Sequence, residues 1–479
     1  MNAHELPILL DRASVLPLAA QLATALRHAI LDGVLRHDEA LPSTRSLASS
    51  VRVSRGTVVA AYDQLAGEGY LLARPGSATR VMVDRPDAVA APAAPHPTRT
   101  RDLGATSPRD LAPAPLIDLA PGHPSTRTLV DPAWTAAWRA AVAASGRSDS
   151  PPPCGTLDLR TAIAEHVRRA RGLACRPDDV IVTAGTSDAL ATIGLALTAL
   201  TGTAGAPQHT PRIAVEDPGY PTARRVLTRV GAHLLPVRAD ESGIDLADLA
   251  ALSPAPHAVL VTPSHQYPLG SSLSVQSRLD LLGWAATEGA VVIEDDYDSE
   301  FRFGTSPLPA LATLDSSGRV VLVGSFSKTV TPWIRCGYIV ATDAVGAALT
   351  AVRADLGPSV SGVQQAALAR YLDSGGLARN ITRVRREYAH RRGLVIGALG
   401  TLPGVRLSGL DGGLHVVVHT EVDASALVTQ AAERGVRVAS LADYAVQASG
   451  QHGLVLGYGS PTDLELGRAL GVLAKLLTT

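Results

Sequence analysis

Lys328 sits in a run of small and hydroxyl-bearing residues, Gly324-Ser325-Phe326-Ser327-Lys328-Thr329, directly after the apolar stretch Val320–Val323. An amine placed at the end of a buried strand loses hydration. Together with Arg335 seven residues on, this lowers its pKa and suits it to Schiff-base chemistry with a carbonyl. Lys328 and Lys475 are the only lysines in a chain whose other cations are arginines. A codon bias explains the arginines, but a retained lysine offers what arginine cannot, a proton it can lose. Lys475 fits a plain amphipathic C-terminal helix. Ser325, Ser327 and Arg335 have the donors to close around a phosphate.

Three other segments combine an apolar run with polar residues at its carboxyl end, where ligands bind in open α/β sheets. Val180–Thr183 leads into Ala184-Gly185-Thr186-Ser187, either a phosphate-binding helix start or a plain strand–helix turn. Ala290–Ile293 leads into Glu294-Asp295-Asp296-Tyr297. An anionic aspartate there can keep a pyridine nitrogen protonated while a phenol bonds a ring oxygen. Paired carboxylates equally suit a magnesium ion, although no phosphate-loop lysine motif accompanies them. Arg212–Val215 leads into Glu216-Asp217-Pro218-Gly219-Tyr220, where Tyr220 either stacks on a planar ring or packs in a core.

The elements that must position these residues follow from pattern. Short apolar runs alternate with amphipathic helices from about Ile117 onward, which suits a parallel sheet buried on both faces. A smaller C-terminal lobe is expected after Ser359. Ahead of this domain, residues 85–115 are rich in Pro and Ala without hydrophobic period, the composition of a linker. The first 84 residues read differently. Leu18, Leu22, Leu26 and Ile30 share one helix face that stops near Gly33. A short helix follows from the N-cap Ser43 to Ser50, then a four-residue turn, Val51–Ser54. The next helix buries Val58, Tyr62 and Leu65 and ends at Gly67 and Gly69. Tyr70–Arg74 and Thr79–Val83, joined at Pro75–Gly76, read as a two-stranded wing. The domains expected are therefore 1–84, 85–115 and 116–479.

Helix, turn, helix and wing make a winged helix-turn-helix, whose second helix presents its N-terminal residues to the major groove. Arg55 and Thr57 lie there, opposite the buried face, and Arg45 reaches phosphate or a guanine edge. Ser54 precedes them, and Gly76 at the wing tip permits close backbone approach to a minor groove. Taken singly, Arg55 is a solvated helix residue and Thr57 a capping hydroxyl; the whole pattern carries the DNA reading.

Leu41-Pro42-Ser43-Thr44-Arg45, Val53-Ser54-Arg55-Gly56-Thr57-Val58 and Gly67-Glu68-Gly69-Tyr70 resemble the GntR family of bacterial repressors. The resemblance implies DNA contacts at Arg45, Ser54, Arg55, Thr57 and Gly76. Residues 117–479 resemble the fold-type-I, class I aminotransferases. That likeness implies pyridoxal 5′-phosphate (PLP) as cofactor, with Lys328 forming its Schiff base and Asp295 facing the pyridine nitrogen. It implies Tyr297 at the ring hydroxyl, Tyr220 stacked on the ring, and Gly185, Thr186, Ser187, Ser325, Ser327 and Arg335 around the phosphate. The fusion resembles the MocR subfamily, to which Pro263-Ser264-His265-Gln266 and the Glu294–Phe301 run are also similar. It implies a homodimer that regulates transcription in response to an amino effector or PLP itself.

The sequence departs from the enzymes at three places. Tyr267 stands where they carry an asparagine before Pro-x-Gly, Val455 aligns with the arginine that grips a substrate carboxylate, and Ser150 replaces a partner-subunit tyrosine. Losing a charge-assisted clamp costs ~1.5–3 kcal/mol of amino-acid binding, so efficient turnover is not expected. His265, Arg224, Arg225 and His415 remain candidates for effector recognition. The competing readings are a working aminotransferase with an accessory DNA-binding domain, and a DNA-binding protein with an inert second domain.

Composition is consistent with this. The 479 residues exceed one core, and the net charge of −1 excludes a basic nucleic-acid coat. Residues 1–85 hold nine arginines against eight acidic residues. Cys154, Cys175 and Cys336 lack metal or disulfide spacing, and no run of ~18 apolar residues occurs, so a cytoplasmic setting and no metal site are expected.

Overall fold

A computed structural model describes residues 10–12, 16–31, 34–72, 78–82, 116–127, 129–144, 146, 149–201, 210–303, 309–447 and 452–478. The Gly33 helix stop, the Pro75–Gly76 turn with Gly76, and the 85–115 linker lie outside the described residues. Two compact units divide the chain, Met1–Asp110 and Leu111–Thr479.

In the first unit the helix Leu18–Leu31 buries Leu22, Ala23, Leu26 and Ile30 against Val58, Ala61, Tyr62 and Leu65 of the helix Arg55–Gly67. Between them lies Thr44–Ser50, whose cap Ser43 accepts from the Ser46 amide. Full burial of each leucine contributes ~1.5–3 kcal/mol to holding these helices together. Tyr62 ties the helices together by donating to the Pro42 carbonyl at 2.8 Å. Among the described residues of the wing, Leu71–Leu72 and Arg80–Val81 pair antiparallel.

The second unit is built on an eight-stranded sheet. Its order is Val180–Thr183, Gly337–Val340, Val320–Ser325, Val291–Asp296, Ala258–Val261, Arg212–Asp217, His233–Asp240, Gly243–Ile244. The apolar runs are buried on both faces as expected: Val321 and Val323 meet the helices Thr186–Thr201 and Asp343–Leu356, whereas Leu322 faces the opposite core. The sheet is mixed rather than parallel. Gly337–Val340 runs antiparallel to both neighbours, because the chain returns from Ser325 through a short irregular segment with no crossover helix. Three strands also extend further than read: the sheet includes Asp217, Asp296 and Ser325, so Asp295 stands inside a strand rather than beyond it.

The smaller lobe holds a four-stranded antiparallel sheet, ordered Val405–Ser408, His415–Thr420, Gly453–Gly457, Ala439–Ser440. The helices Gly376–Leu399 and Asp463–Leu477 contribute to its core. It does not consist of C-terminal residues alone: Ile117–Asp118 pairs in parallel with Val436–Arg437.

Gly324 marks how tightly the sheet is filled. A Cβ there would lie 2.1 Å from the Tyr338 ring on the adjacent strand. Gly324→Ala is therefore expected to destabilise the protein by about 2–3 kcal/mol in denaturant titration. Gly283→Ala, in the helix Val275–Glu288 with nothing within 4 Å of the added methyl, is expected to gain about 0.5–1 kcal/mol.

Candidate cofactor pocket and nucleic-acid interface

At the carboxyl ends of the central strands lies a cavity of about 320 Å³, within the range of small-molecule sites. Thr186, Ser187, Tyr220, Asp295, Tyr297, Ser325, Ser327, Lys328 and Arg335 all line it. Residues read from four separate segments are thus brought to one place by the sheet. Gly185 stands beside them with φ +93°, and a Cβ there would meet the Arg335 guanidinium at 3.7 Å. Thr186 and Ser187 open the helix Thr186–Thr201, whose free N–H groups favour an anion. Ser325 Oγ bonds Ser327 Oγ at 2.9 Å and accepts from the Ser327 amide. Arg335, itself in the left-handed region (φ +40°), is exposed at the rim.

Strand alternation separates the acidic residues. Asp295 lines the cavity, while Glu294 and Asp296 turn to the other face and share the buried Arg171, at 3.4 and 2.8 Å. The carboxylates therefore do not converge as a magnesium site requires. Asp295 Oδ1 is buried and has no hydrogen-bond partner among the described residues. Burial pushes this carboxyl up to about 7, aided by Asp296, Glu216 and Asp298 and opposed by Lys328. The same cause raises Glu216 to about 7, against hydrogen bonds from Thr262.

Lys328 is enclosed on most sides, and its ammonium donates to the Gly122 carbonyl. Desolvation lowers its pKa, with Asp298 and Asp295 pulling the other way. The phenol of Tyr297 lies 2.9 Å from both Nδ1 and the carbonyl oxygen of His265. His265 Nδ1 also pairs with Asp298 at 2.9 Å. Tyr220 packs edge-on against Tyr267, their ring centroids 5.7 Å apart.

The folded protein holds the Asp295 proton more tightly than the unfolded chain does. Its contribution to stability is therefore lost as pH rises from about 4 toward 7. Between pH 5 and 7.5 the cofactor-free protein is expected to lose about 3–5 °C more in Tm than Asp295→Asn, measured by calorimetry.

Sequence reasoning missed Pro121, Gly122, His123, Thr262, Pro332 and Leu414, which also line the cavity. Pro121-Gly122 was the one visible signal, a turn dipeptide.

In the first unit, Arg45 and Arg55 are exposed at the starts of their helices. Arg55 Nε contacts Thr44 Oγ1 at 3.3 Å. Ser54 is the cap: its hydroxyl accepts from the Thr57 amide at 3.1 Å and bonds Thr57 Oγ1 at 2.8 Å. The capping role weighed for Thr57 thus belongs to Ser54.

Residues 18–81 match the model of the bacterial regulatory proteins of the gntR family, and residues 114–451 that of aminotransferase class I and II. The chain is 41% identical over 95% of its length to the HTH-type pyridoxine biosynthesis transcriptional regulator PdxR of Corynebacterium glutamicum, covering 95% of that protein. It is 34% identical to the probable rhizopine catabolism regulatory protein MocR of Rhizobium meliloti, over 94% of this chain and 92% of that one. The chain belongs to the MocR subfamily of GntR-type transcription regulators. Solved structures similar to this regulator include an archaeal alanine:glyoxylate aminotransferase, with 22% identity, TM-score 0.68, and 76% and 90% of the two chains covered. Another is the α-aminoadipate aminotransferase LysN of Thermus thermophilus, complexed with N-(5′-phosphopyridoxyl)-L-leucine, with 25% identity, TM-score 0.67, and 76% and 92% covered. The fold of the regulator's second unit is that of fold-type-I aminotransferases.

The effector candidates of this MocR-type protein separate in space. His415 lines the cavity, whereas His265 is buried behind it. Arg224 is spent on the Gly219 and Tyr444 carbonyls and Arg225 on Thr222. Val455 is fully buried among Leu269, Val417, Leu441 and Tyr444, and Ser150 is exposed. Among the described residues no helix is long and apolar enough to cross a membrane.

Proposed function

We propose that this regulator binds PLP in the cavity and couples an amino effector, or PLP itself, to DNA binding. The observation that carries the reading is the unpartnered, buried Asp295 Oδ1 facing a cavity that also holds Lys328. Such an orphaned acceptor is costly unless a donor meets it, and a pyridinium N–H is such a donor. The residues fit the cofactor: Asp295 at the ring nitrogen, Tyr220 on the ring face and Tyr297 near the ring hydroxyl. Gly185, Thr186, Ser187, Ser325, Ser327 and Arg335 fit its phosphate.

When bound, PLP supplies an electrophilic carbon to which primary amines add. Lys328, whose pKa desolvation lowers, provides the amine that holds it. Asp298 and His265 fix the Tyr297 phenol in place. Arg45, Ser54, Arg55, Thr57 and Gly76 form the DNA-reading set of the 1–84 domain, joined by the 85–115 linker to the 116–479 domain.

The reading includes a homodimer in the cytoplasm. Trp333, 94% exposed beside the cavity-lining Pro332, suits a subunit interface. The cysteines are free, as a reducing compartment keeps them. Selecting sites from a random duplex pool with the PLP-loaded full chain tests the proposal. Two half-sites, with affinity that changes at least about fivefold on removing PLP, are expected. Sequence-specific binding indifferent to the cofactor would refute the coupling.

A further inference from the structure

The proposed cofactor contacts leave part of the cavity wall unused, including Gly122, Tyr267, Leu414 and His415. His415 Nε2 lies 3.0 Å from the Pro268 carbonyl. A carbonyl only accepts, so Nε2 carries the proton and Nδ1 keeps its lone pair. Among the described residues no donor is bonded to that Nδ1. Burial, together with His265 and Lys328, lowers the His415 pKa to about 3 against the Pro268 bond, so the ring stays neutral at physiological pH. The Gly122 carbonyl is a second acceptor on the same wall, in contact with Lys328 Nζ.

Tyr267, on the same wall, packs edge-on against Tyr220, Tyr297, Tyr444 and His415 at interplanar angles of 67–85°, with centroids 5.2–5.7 Å away. Leu269, Val417, Leu441 and Val455 back it. Arg335, the one arginine lining the cavity among the described residues, belongs to the phosphate end. Asp295 and Asp298 add negative charge near Lys328. A carboxylate brought here meets lone pairs, and its desolvation goes uncompensated. An ammonium or hydroxyl finds acceptors and, for the cation, aromatic faces.

We propose that this wall selects the effector: an amine whose second group donates hydrogen bonds, an ammonium or a hydroxyl, in preference to one whose second group is a carboxylate. The inference rests on the PLP reading above and names the class of amine the site takes.

The test titrates the PLP-loaded full chain with 1,3-diaminopropane, 3-aminopropanol and β-alanine, three amines of one length, following the visible spectrum. The two donor amines are expected to half-saturate the shift at concentrations at least about tenfold below β-alanine. His415→Leu removes the acceptor and is expected to shrink that preference to about threefold or less. His415→Asn, which keeps a donor for Pro268 and an acceptor for the ligand, is expected to restore it. A yellow protein that answers β-alanine as well or better, or neither donor amine, overturns this proposal alone. Undiminished preference in His415→Leu overturns it too, and the wild-type ranking decides by itself if that variant does not fold. A protein that acquires no colour with PLP overturns both readings.

Discussion

Lys328→Ala, incubated with PLP and desalted, is expected to emerge colourless where the wild type emerges yellow. The residue's position explains the size of the effect. Its amine is enclosed at the end of a central strand, where lost hydration favours the neutral, nucleophilic form. The serines and Arg335 that would hold a phosphate carry no primary amine able to form a Schiff base. Retention through desalting therefore rests on the lysine. Lys328→Arg sharpens the test, since it keeps a cation beside Asp295 and Asp298 but cannot lose its proton. It too is expected to be colourless. A yellow Lys328→Arg protein would show that charge, not covalent chemistry, holds the cofactor.

Arg55→Ala is expected to weaken operator binding by about 10–100-fold while leaving the cofactor colour of the protein unchanged. A bidentate arginine–guanine contact is worth ~1–3 kcal/mol of discrimination. Arg55 opens the helix Arg55–Gly67 with its side chain exposed, and one bond to Thr44 pre-orients it. Arg45, exposed on the shorter helix, is the better candidate for phosphate contact. Arg45→Ala is expected to weaken all duplexes alike and to lower the salt dependence by about one unit. Footprints retained by Arg55→Ala would remove the residue from the recognition surface.

Much of the site was legible because its chemistry coincides with pattern. Lys328, Asp295, Tyr220 and the Gly185–Ser187 turn each follow an uninterrupted apolar run, and such runs end where a buried sheet meets its ligands. The DNA-reading unit was legible for a similar reason, as its cap Ser43 marks a helix start and Leu47 and Val58 fall on buried faces, although the second cap proved to be Ser54. What could not be read depends on long-range pairing. Arg171 closes the run Arg168, Arg169, Arg171 at a helix end and has the sequence signature of a solvated residue. It is instead buried between Glu294 and Asp296, more than a hundred residues away. The antiparallel course of Gly337–Val340 is likewise invisible in its composition, which suits either direction. His123 and Leu414 reach the cavity from opposite ends of the second unit, and nothing local distinguishes them.

The strand Ile117–Asp118 gives the entry to the second unit a mechanical character. It is hydrogen-bonded to Val436–Arg437, and the next residue, Leu119, exchanges backbone bonds with Arg437 and Gly457. Three residues further on, the carbonyl of Gly122 receives the Lys328 ammonium across 206 positions of sequence. From that carbonyl back to residue 116 the chain spans about 20 Å at most when extended. The Lys328 ammonium thus holds the same short length of backbone that the smaller lobe pairs with. Replacing Lys328 removes the tether at Gly122 and leaves the segment held by its pairing with Val436–Arg437.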